Sequence, residues 1–156
     1  NSFRNDSKNL IDTRILASKT NGQNVFGYIN RDRVYTQGFE MDIRYKPWKN
    51  LNLSAGYQLL YAYDKDKREA VKNGEVFARD PETLQTVRLS TSDYFGLENR
   101  SRHTLNAKVF YEIPEWDANA NIRVTYRSSF GLTDQNGNNL LDVYDDTFAK
   151  GYALVN

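Results

Sequence analysis

Hydrophobic and polar residues alternate from Tyr35 to Tyr63, on either side of a short break at residues 47–50. Mainly apolar residues occupy the odd positions, and polar, charged or small residues occupy the even ones. A period of two places the two sets on opposite faces of a β-strand. The pattern therefore predicts two antiparallel strands joined by a tight turn that begins near Lys46 and contains Pro47. The apolar face comprises Tyr35, Phe39, Met41, Ile43, Tyr45, Leu51, Leu53, Ala55, Tyr57, Leu59, Tyr61 and Tyr63.

Both runs are longer than the strands of most soluble proteins. Each spans about twelve residues, whereas five or six are usual. A tilted strand of roughly 9–11 residues is long enough to cross a bilayer. The length of the runs therefore favours membrane-spanning strands.

The same alternation returns at residues 102–113 and 118–130. Weaker strand candidates lie at residues 1–16, which are polar, and at Tyr152–Val155, where a further strand begins. A polar segment at residues 18–24 predicts a turn or loop, so the first strand of the central pair is expected to start near Asn30. The apolar positions of the two later strands are His103, Leu105, Ala107, Val109, Tyr111, Ile113, Ala118, Ala120, Ile122, Val124, Tyr126 and Phe130.

The connections between the predicted strands alternate between short and long. Long segments lie at about 64–98 and 131–150, and the first has no sustained period, so we expect a solvated, mobile loop there. Outer-membrane barrels combine tight periplasmic turns with long external loops. Both short turns contain a tryptophan, Trp48 or Trp116, as expected of an aromatic girdle at a membrane interface.

These features predict an all-β fold class: antiparallel up-and-down strands that form a segment of a large transmembrane β-barrel. The apolar face then meets lipid and the charged face lines the lumen, where we expect Glu40 and Asp42 to pair with Arg44 or Arg123. Alternation alone does not distinguish a barrel from a sandwich. The alternative is therefore a soluble, calcium-stabilised β-sandwich that binds carbohydrate.

The number of strands also predicts an incomplete barrel. Five strands and the start of a sixth are fewer than the roughly eight that close with a filled interior. Each unsatisfied backbone group at an open edge costs several kcal/mol in lipid. Residues 1–156 are therefore expected to be one sector of a larger barrel.

Composition narrows the classes of function. The chain has 21 Lys+Arg and 20 Asp+Glu residues, so no basic surface for nucleic acid is predicted. Its mean hydropathy of −0.75 and the lack of a long apolar run exclude helical membrane spans. There is no cysteine, no Ser-His-Asp arrangement and no Gly-rich phosphate loop, and the single histidine, His103, lies on the apolar face. We therefore predict that the chain is not an enzyme.

One motif predicts metal binding. The segment from Asp134 to Asp145 has the spacing of an EF-hand calcium loop, with oxygen ligands at positions 1, 3, 5, 7, 9 and 12. It departs from that pattern with Asn139 at position 6 and an aspartate at position 12. An ordinary loop rich in Asp and Asn is the alternative. The predicted calcium ligands are Asp134, Asn136, Asn138, Leu140 through its carbonyl, Asp142 and Asp145.

Several segments resemble one known family. The run VYTQGFEMDIRY (34–45) followed by LNLSAGY (51–57) is similar to the Y-x-x-G-x-E strand and hairpin of TonB-dependent outer-membrane receptors. The run NRSRHTLNAKVFY (99–111) resembles a later strand of that barrel. The runs YRSSFGLTDQNGN (126–138) and KGYALVN (150–156) resemble members of the Bacteroidetes type.

The resemblance implies a location in the cell outer membrane and import of a scarce, large nutrient such as a ferric siderophore, haem or cobalamin. It implies that the chain is the C-terminal part of the barrel, with the plug domain and the final strand lying outside the sequence. The partners it implies are outer-membrane lipid, the plug and the rest of the barrel, the TonB complex and a small-molecule ligand. Related receptors carry calcium in outer loops, which supports calcium as a structural cofactor here.

Overall fold

In the residues that the structure describes, twelve strands and one α-helix follow one another. The structure is a computed structural model that describes residues 1–20, 22–135, 137–144 and 146–156. In chain order the elements are β1 (Ser2–Ser18), β2 (Asn24–Trp48), β3 (Leu51–Asp64), α1 (Lys65–Asn73), β4 (Phe77–Arg79), β5 (Thr86–Arg88), β6 (Tyr94–Gly96), β7 (His103–Ile113), β8 (Ala118–Arg127), β9 (Phe130–Thr133), β10 (Leu141–Asp142), β11 (Thr147–Ala149) and β12 (Tyr152–Val155).

Six of these strands form one antiparallel sheet in the order β1-β2-β3-β7-β8-β12. Each strand pairs with the next long strand along the chain, so the predicted up-and-down arrangement is confirmed. The tight turns at 49–50 and 114–117 lie at one end of the sheet, which we call the turn end. The long connections 65–102 and 128–151, named loop A and loop B, lie at the opposite end, called the loop end.

The register places the predicted apolar residues on one face. Phe39 pairs with Leu59 and Ile43 with Ala55, and the ladder continues across β7 and β8 through Leu53, Val109 and Ile122. These apolar side chains remain largely exposed: Ile43 is 51 % exposed and Ile122 is 54 % exposed. A soluble sandwich would bury this face against a second sheet, so that alternative does not describe this fold.

The strand β2 was predicted to begin near Asn30, but in the structure it begins at Asn24. Residues 24–31 pair with β1, and the connection is a tight turn in which the Lys19 amide donates to the Gln23 carbonyl at 2.8 Å. Apolar residues stand on both faces of this outer part of β2, with Phe26 and Tyr28 on one face and Val25 and Ile29 on the other. The alternation that marks a strand is therefore lost although the backbone pairing continues.

A long connection lies at 64–98, where a solvated, mobile loop was predicted, but it contains regular structure: α1 and three short strands lie there. The Asp64 carboxylate caps α1 by accepting hydrogen bonds from the Asp66 and Lys67 amides, and Gly74 ends the helix at φ 74°. Val71 is the one buried residue of α1. A helix this short and polar has no apolar stripe, so the sequence pattern does not reveal it.

The buried residues cluster at the loop end, where loops A and B meet β2 and β3. Tyr35 and Tyr63 come from the strands, Leu89 and Tyr94 from loop A, and Leu140 from loop B. Burial of these side chains stabilises both loops against the strands. In the part of the chain that the structure describes, no helix is both long and apolar enough to cross a bilayer.

Candidate functional site

Loops A and B are joined to each other through backbone pairing. The strand β6 of loop A pairs with β10 of loop B, with Gly96 opposite Leu141 and Tyr94 opposite Asp142. An added Cβ on Gly96, which has φ 121°, would collide with the carbonyl oxygen of Ala62. The absence of a side chain at this position therefore lets β6 approach the end of β3.

Tyr94 fixes loop A to the end of β3. The Tyr94 hydroxyl accepts a hydrogen bond from the Asp64 amide at 3.2 Å, and its ring lies 5.4 Å from the ring of Tyr63. Burial raises the pKa of Tyr94 well above its ordinary value. The hydroxyl therefore stays neutral and serves as a structural anchor.

A cleft separates the β1–β2 hairpin from the two loops. One part has a volume of about 250 Å³ and is lined by Arg31, Asp64, Lys67, Glu98, Asp134 and Asn139, among others. A neighbouring part of about 330 Å³ shares Glu98 and Asp134 and extends to Phe26 and Leu132. Arg31 is held in place by Asp12 at 3.0 Å and Asp64 at 3.7 Å. The cleft thus presents charged and apolar groups together, as small-molecule sites do.

Three of the predicted calcium ligands make hydrogen bonds within loop B. The Asp134 carboxylate accepts hydrogen bonds from the Gly137 and Asn139 amides at 2.7 and 2.8 Å. The Asn138 side-chain amide donates to the Asp142 carboxylate at 2.7 Å. Asp142 is fully buried and also accepts a hydrogen bond from the Tyr144 amide at 2.9 Å.

Of the other three predicted ligands, the structure describes only Leu140. Leu140 is buried next to Asn138, whose side-chain oxygen accepts a hydrogen bond from the Leu140 amide. Asn136 and Asp145 lie outside the described residues. Among the described residues, no group of three or more His, Cys, Asp or Glu side chains is placed to hold a metal ion.

Asp146 is a residue of this loop that the spacing rule did not select. Its carboxylate accepts hydrogen bonds from the Asp142 and Gln135 amides at 2.7 and 2.8 Å, and so links three positions within loop B. Burial raises the pKa of Asp146 to about 6, with the nearby Asp142 and Asp134 carboxylates also raising it. The feature of the sequence that could have pointed to Asp146 is the pair of adjacent aspartates at positions 145 and 146.

The lumenal face carries the predicted charges but not the predicted ion pairs. Glu40 instead accepts a hydrogen bond from the Gln58 side chain at 2.7 Å. Asp42, Lys108 and Arg123 line one shallow recess. Within the described ranges, no ion pair within 4.0 Å involves Glu40 or Asp42. That prediction was therefore wrong.

His103 lies on the apolar face, as predicted, and contacts Tyr57 on the neighbouring strand. The Tyr57 hydroxyl lies 2.7 Å from His103 Nδ1, and the two rings are stacked with centroids 6.1 Å apart. This contact stabilises the pairing of β3 with β7.

Comparisons with known proteins place this arrangement in a family. The model of the family described as "TonB dependent receptor-like, beta-barrel" matches residues 1–156. A solved structure of a mutant of the ferric enterobactin receptor (PfeA) from Pseudomonas aeruginosa shares the fold, with a TM-score of 0.54 and 15 % sequence identity. The match covers 99 % of this chain and 19 % of that receptor. No curated protein matches the chain.

The family consists of outer-membrane receptors and transporters, not of enzymes. The exposed apolar face is therefore the lipid face of a barrel wall. The Bacteroidetes type remains a prediction. The chain belongs to the TonB-dependent receptor family and forms part of its outer-membrane β-barrel.

Proposed function

We propose that the receptor containing this segment imports a scarce, large nutrient, such as a ferric siderophore, haem or cobalamin, and that loops A and B contribute to its capture. The remaining barrel, a plug domain and the TonB complex are the partners in this function. Transport is coupled to TonB, and the segment described here supplies part of the wall and of the outer rim.

The observation that carries this proposal is the joining of loops A and B. The β6–β10 pairing and the shared core of Leu89, Tyr94 and Leu140 make the loops one packed rim. The cleft beside this rim is lined by residues from the β1–β2 hairpin and from both loops. A packed rim with a lined cleft holds its binding groups in place before the ligand arrives, which lowers the entropic cost of binding.

The test uses the full receptor in detergent, with binding of a catecholate ferric siderophore, haem and cobalamin measured by fluorescence quenching. We expect saturable binding of one of these ligands, and uptake into cells that is lost when TonB is deleted. The double variant Lys67→Ala/Asn139→Ala in the cleft should weaken binding about tenfold. The matched control Lys49→Ala, at the turn end, should bind normally.

The proposal fails if none of the three ligands binds, or if the cleft variant binds as tightly as the control. Heat-modifiable mobility on gels reports assembly of the barrel for every variant. A loss of binding counts only where this mobility is unchanged.

We also propose that the Asp134–Asp145 loop binds a structural calcium ion. Carboxylate, amide and carbonyl oxygens are the ligands that calcium prefers. Asp134, Asn138 and Asp142 supply such groups within one short, hydrogen-bonded loop. Burial is the main cause of the raised pKa of Asp146, and the Asp142 and Asp134 carboxylates raise it further, so a bound cation would be favoured by these charges.

The calcium proposal is tested by proteolysis of the full receptor in the presence and absence of calcium. Calcium up to about 1 mM, the weaker end of the range for extracellular sites, should protect residues 134–146 from cleavage. Asp134→Asn should raise the calcium concentration needed by about tenfold or more. Asp80→Asn, which changes an aspartate in a turn of loop A, is the control. Protection that is absent at 1 mM calcium contradicts the proposal.

A further inference from the structure

A groove rich in basic residues lies where α1 packs against β1 and β2. Its volume is about 500 Å³. We call it the cationic groove. It is lined by Arg4, Tyr35, Lys65, Arg68, Glu69 and Lys72.

The strand register places this groove on the membrane-facing side of the wall. Tyr35 pairs with Tyr63, Phe39 with Leu59 and Ile43 with Ala55 in an unbroken ladder, so these residues share one face. Arg4 pairs with Gln37 and has the same orientation as Tyr35, with its guanidinium carbon 4.5 Å from the Tyr35 ring centroid. The groove therefore continues the surface that meets lipid lower on the wall.

The register also gives the height of the groove relative to the bilayer. Tyr45, at the turn end, and Tyr35 are ten positions apart on β2. A tilted strand crosses the hydrocarbon layer in roughly 9–11 residues. Tyr35 and the basic residues around it therefore lie at the level of the outer-leaflet headgroups.

The basic residues of α1 are arranged for contact with a single anionic partner. Lys65, Arg68 and Lys72 are spaced at i, i+3 and i+7, which places them on one face of the helix. Arg68 donates a hydrogen bond to the Tyr35 hydroxyl, and its guanidinium carbon lies 4.8 Å from the Tyr63 ring centroid. Within the described part of the chain, Lys65 and Lys72 form no ion pair.

The acidic residues of α1 are held by a different partner. The Arg33 guanidinium contacts Asp66 at 2.7 Å and Glu69 at 3.1 Å. This arrangement offsets the negative charge of the helix. Arg4 is paired with Asp6 at 3.0 Å, so the cations of the groove beyond that pair are Lys65, Arg68 and Lys72. An anion entering it would gain charge-assisted hydrogen bonds.

From these placements we propose that the cationic groove binds the phosphate groups of an anionic outer-leaflet lipid of the lipid A type. The acyl chains would then lie along the apolar face below, next to Phe39 and Leu59. The combination of a basic helix face, flanking tyrosines and an apolar surface beneath matches a lipid, which carries both phosphate and hydrocarbon. The inference does not depend on which nutrient the receptor imports.

The experiment measures lipid A retained by the purified full receptor, by native mass spectrometry in detergent. The test variant is Lys65→Gln/Lys72→Gln. The matched control is Lys49→Gln/Lys19→Gln, which removes the same charge from the turn between β2 and β3 and from the tip of the β1–β2 hairpin. Each basic residue near an anionic surface contributes to binding, so we expect roughly tenfold less retained lipid A in the test variant and no change in the control.

Two further measurements distinguish a lipid from a soluble anion as the ligand of the groove. Lipid A without its phosphate groups should bind the unchanged receptor as weakly as lipid A binds the test variant. Inorganic phosphate at 10-fold excess over lipid A should leave the bound lipid in place. If phosphate displaces it, or if the test variant retains as much lipid A as the control, the proposal is overturned. The single variant Lys72→Gln provides the comparison if the double variant does not assemble, with an expected loss of about threefold.

Discussion

The ring of Phe3 on β1 lies over Gly38 on β2. A Cβ added to Gly38 would lie 3.1 Å from Phe3 Cζ and would collide with the carbonyl oxygen of Leu59 on β3. Gly38 is the glycine of the Y-x-x-G-x-E run. The close approach of a side chain from one neighbouring strand and the backbone of the other explains in physical terms why glycine is needed there.

Gly38→Ala is therefore expected to destabilise the barrel by about 1–3 kcal/mol, as overpacking does. Thermal unfolding of the full receptor, followed by heat-modifiable gel mobility, measures this change. The double variant Gly38→Ala/Phe3→Ala should remain destabilised, because the collision with the Leu59 carbonyl persists. Full rescue by Phe3→Ala would contradict this explanation.

Adjacent residues on β8 test which face meets lipid. Val124 pairs with Ala107 and Val155 on the apolar face, whereas Arg123 pairs with Lys108 on the lumenal face. Val124→Arg should cost roughly 2–4 kcal/mol, because it places a charge in lipid near the midplane.

Arg123→Leu should be close to neutral for stability, because it removes one of two like charges that lie directly opposite each other. Denaturant unfolding of the receptor in vesicles gives both values. Small and equal effects of the Val124 and Arg123 changes would show that the assignment of the faces is wrong.

The attachment of α1 to β2 is expected to depend on pH. The hydrogen bond from Arg33 holds the pKa of Asp66 below its ordinary value. The folded loop therefore binds fewer protons than the unfolded one as pH falls from about 3.9, the unperturbed pKa. The contribution to stability is present above that pH and is lost as pH falls through the lower, folded pKa.

Hydrogen exchange of residues 65–73 in the full receptor should therefore accelerate below about pH 4, relative to the exchange expected from intrinsic rates. In Asp66→Asn, the acid-dependent part of this acceleration should disappear. An unchanged acid response in that variant would show that Asp66 is not the group responsible.

Leu141 is expected to hold the two loops together. It is 1 % exposed and lies against Gly131, with β10 paired to β6. Leu141→Ala should cost about 2–5 kcal/mol of local stability, since it leaves a cavity in a packed site. Leu132→Ala, at an exposed position 39 % accessible to solvent, is the control. Proteolysis of both loops should increase in Leu141→Ala only, and cleavage confined to loop B would contradict a joined rim.

The alternating segments were predictable because each face of a membrane-spanning strand meets one environment. From Phe39 to Tyr45 and from Leu51 to Leu59, lipid lies on one side and the lumen on the other. Apolar and polar residues therefore alternate with a period of two along these segments. Where β2 continues beyond the membrane to Asn24, both faces meet water and the same backbone pairing leaves no pattern.

The features at the loop end were harder to predict for related reasons. The helix α1 buries only Val71 and is fixed by its caps and by Arg33, which are individual contacts without a period. In loop B, motif spacing selected Asp134, Asn138 and Asp142; the Asn138 amide contacts the Asp142 carboxylate, while Asp134 accepts from the Asn139 amide. Calcium binding by this loop stays a prediction. Motif spacing did not select Asp146, because the spacing rule assigns no position to a carboxylate that accepts hydrogen bonds from the Asp142 and Gln135 amides.

The length of β2 has a practical consequence. At about 3.3 Å per residue, only some ten of its 25 residues are needed inside the bilayer. The loop end of the β1–β2 hairpin therefore stands well clear of the bilayer on a paired, stiff support. With the loop end on the outer side, as proposed for ligand capture, a peptide epitope inserted after Gly22 is expected to be displayed to antibodies on intact cells without disturbing the wall beneath it.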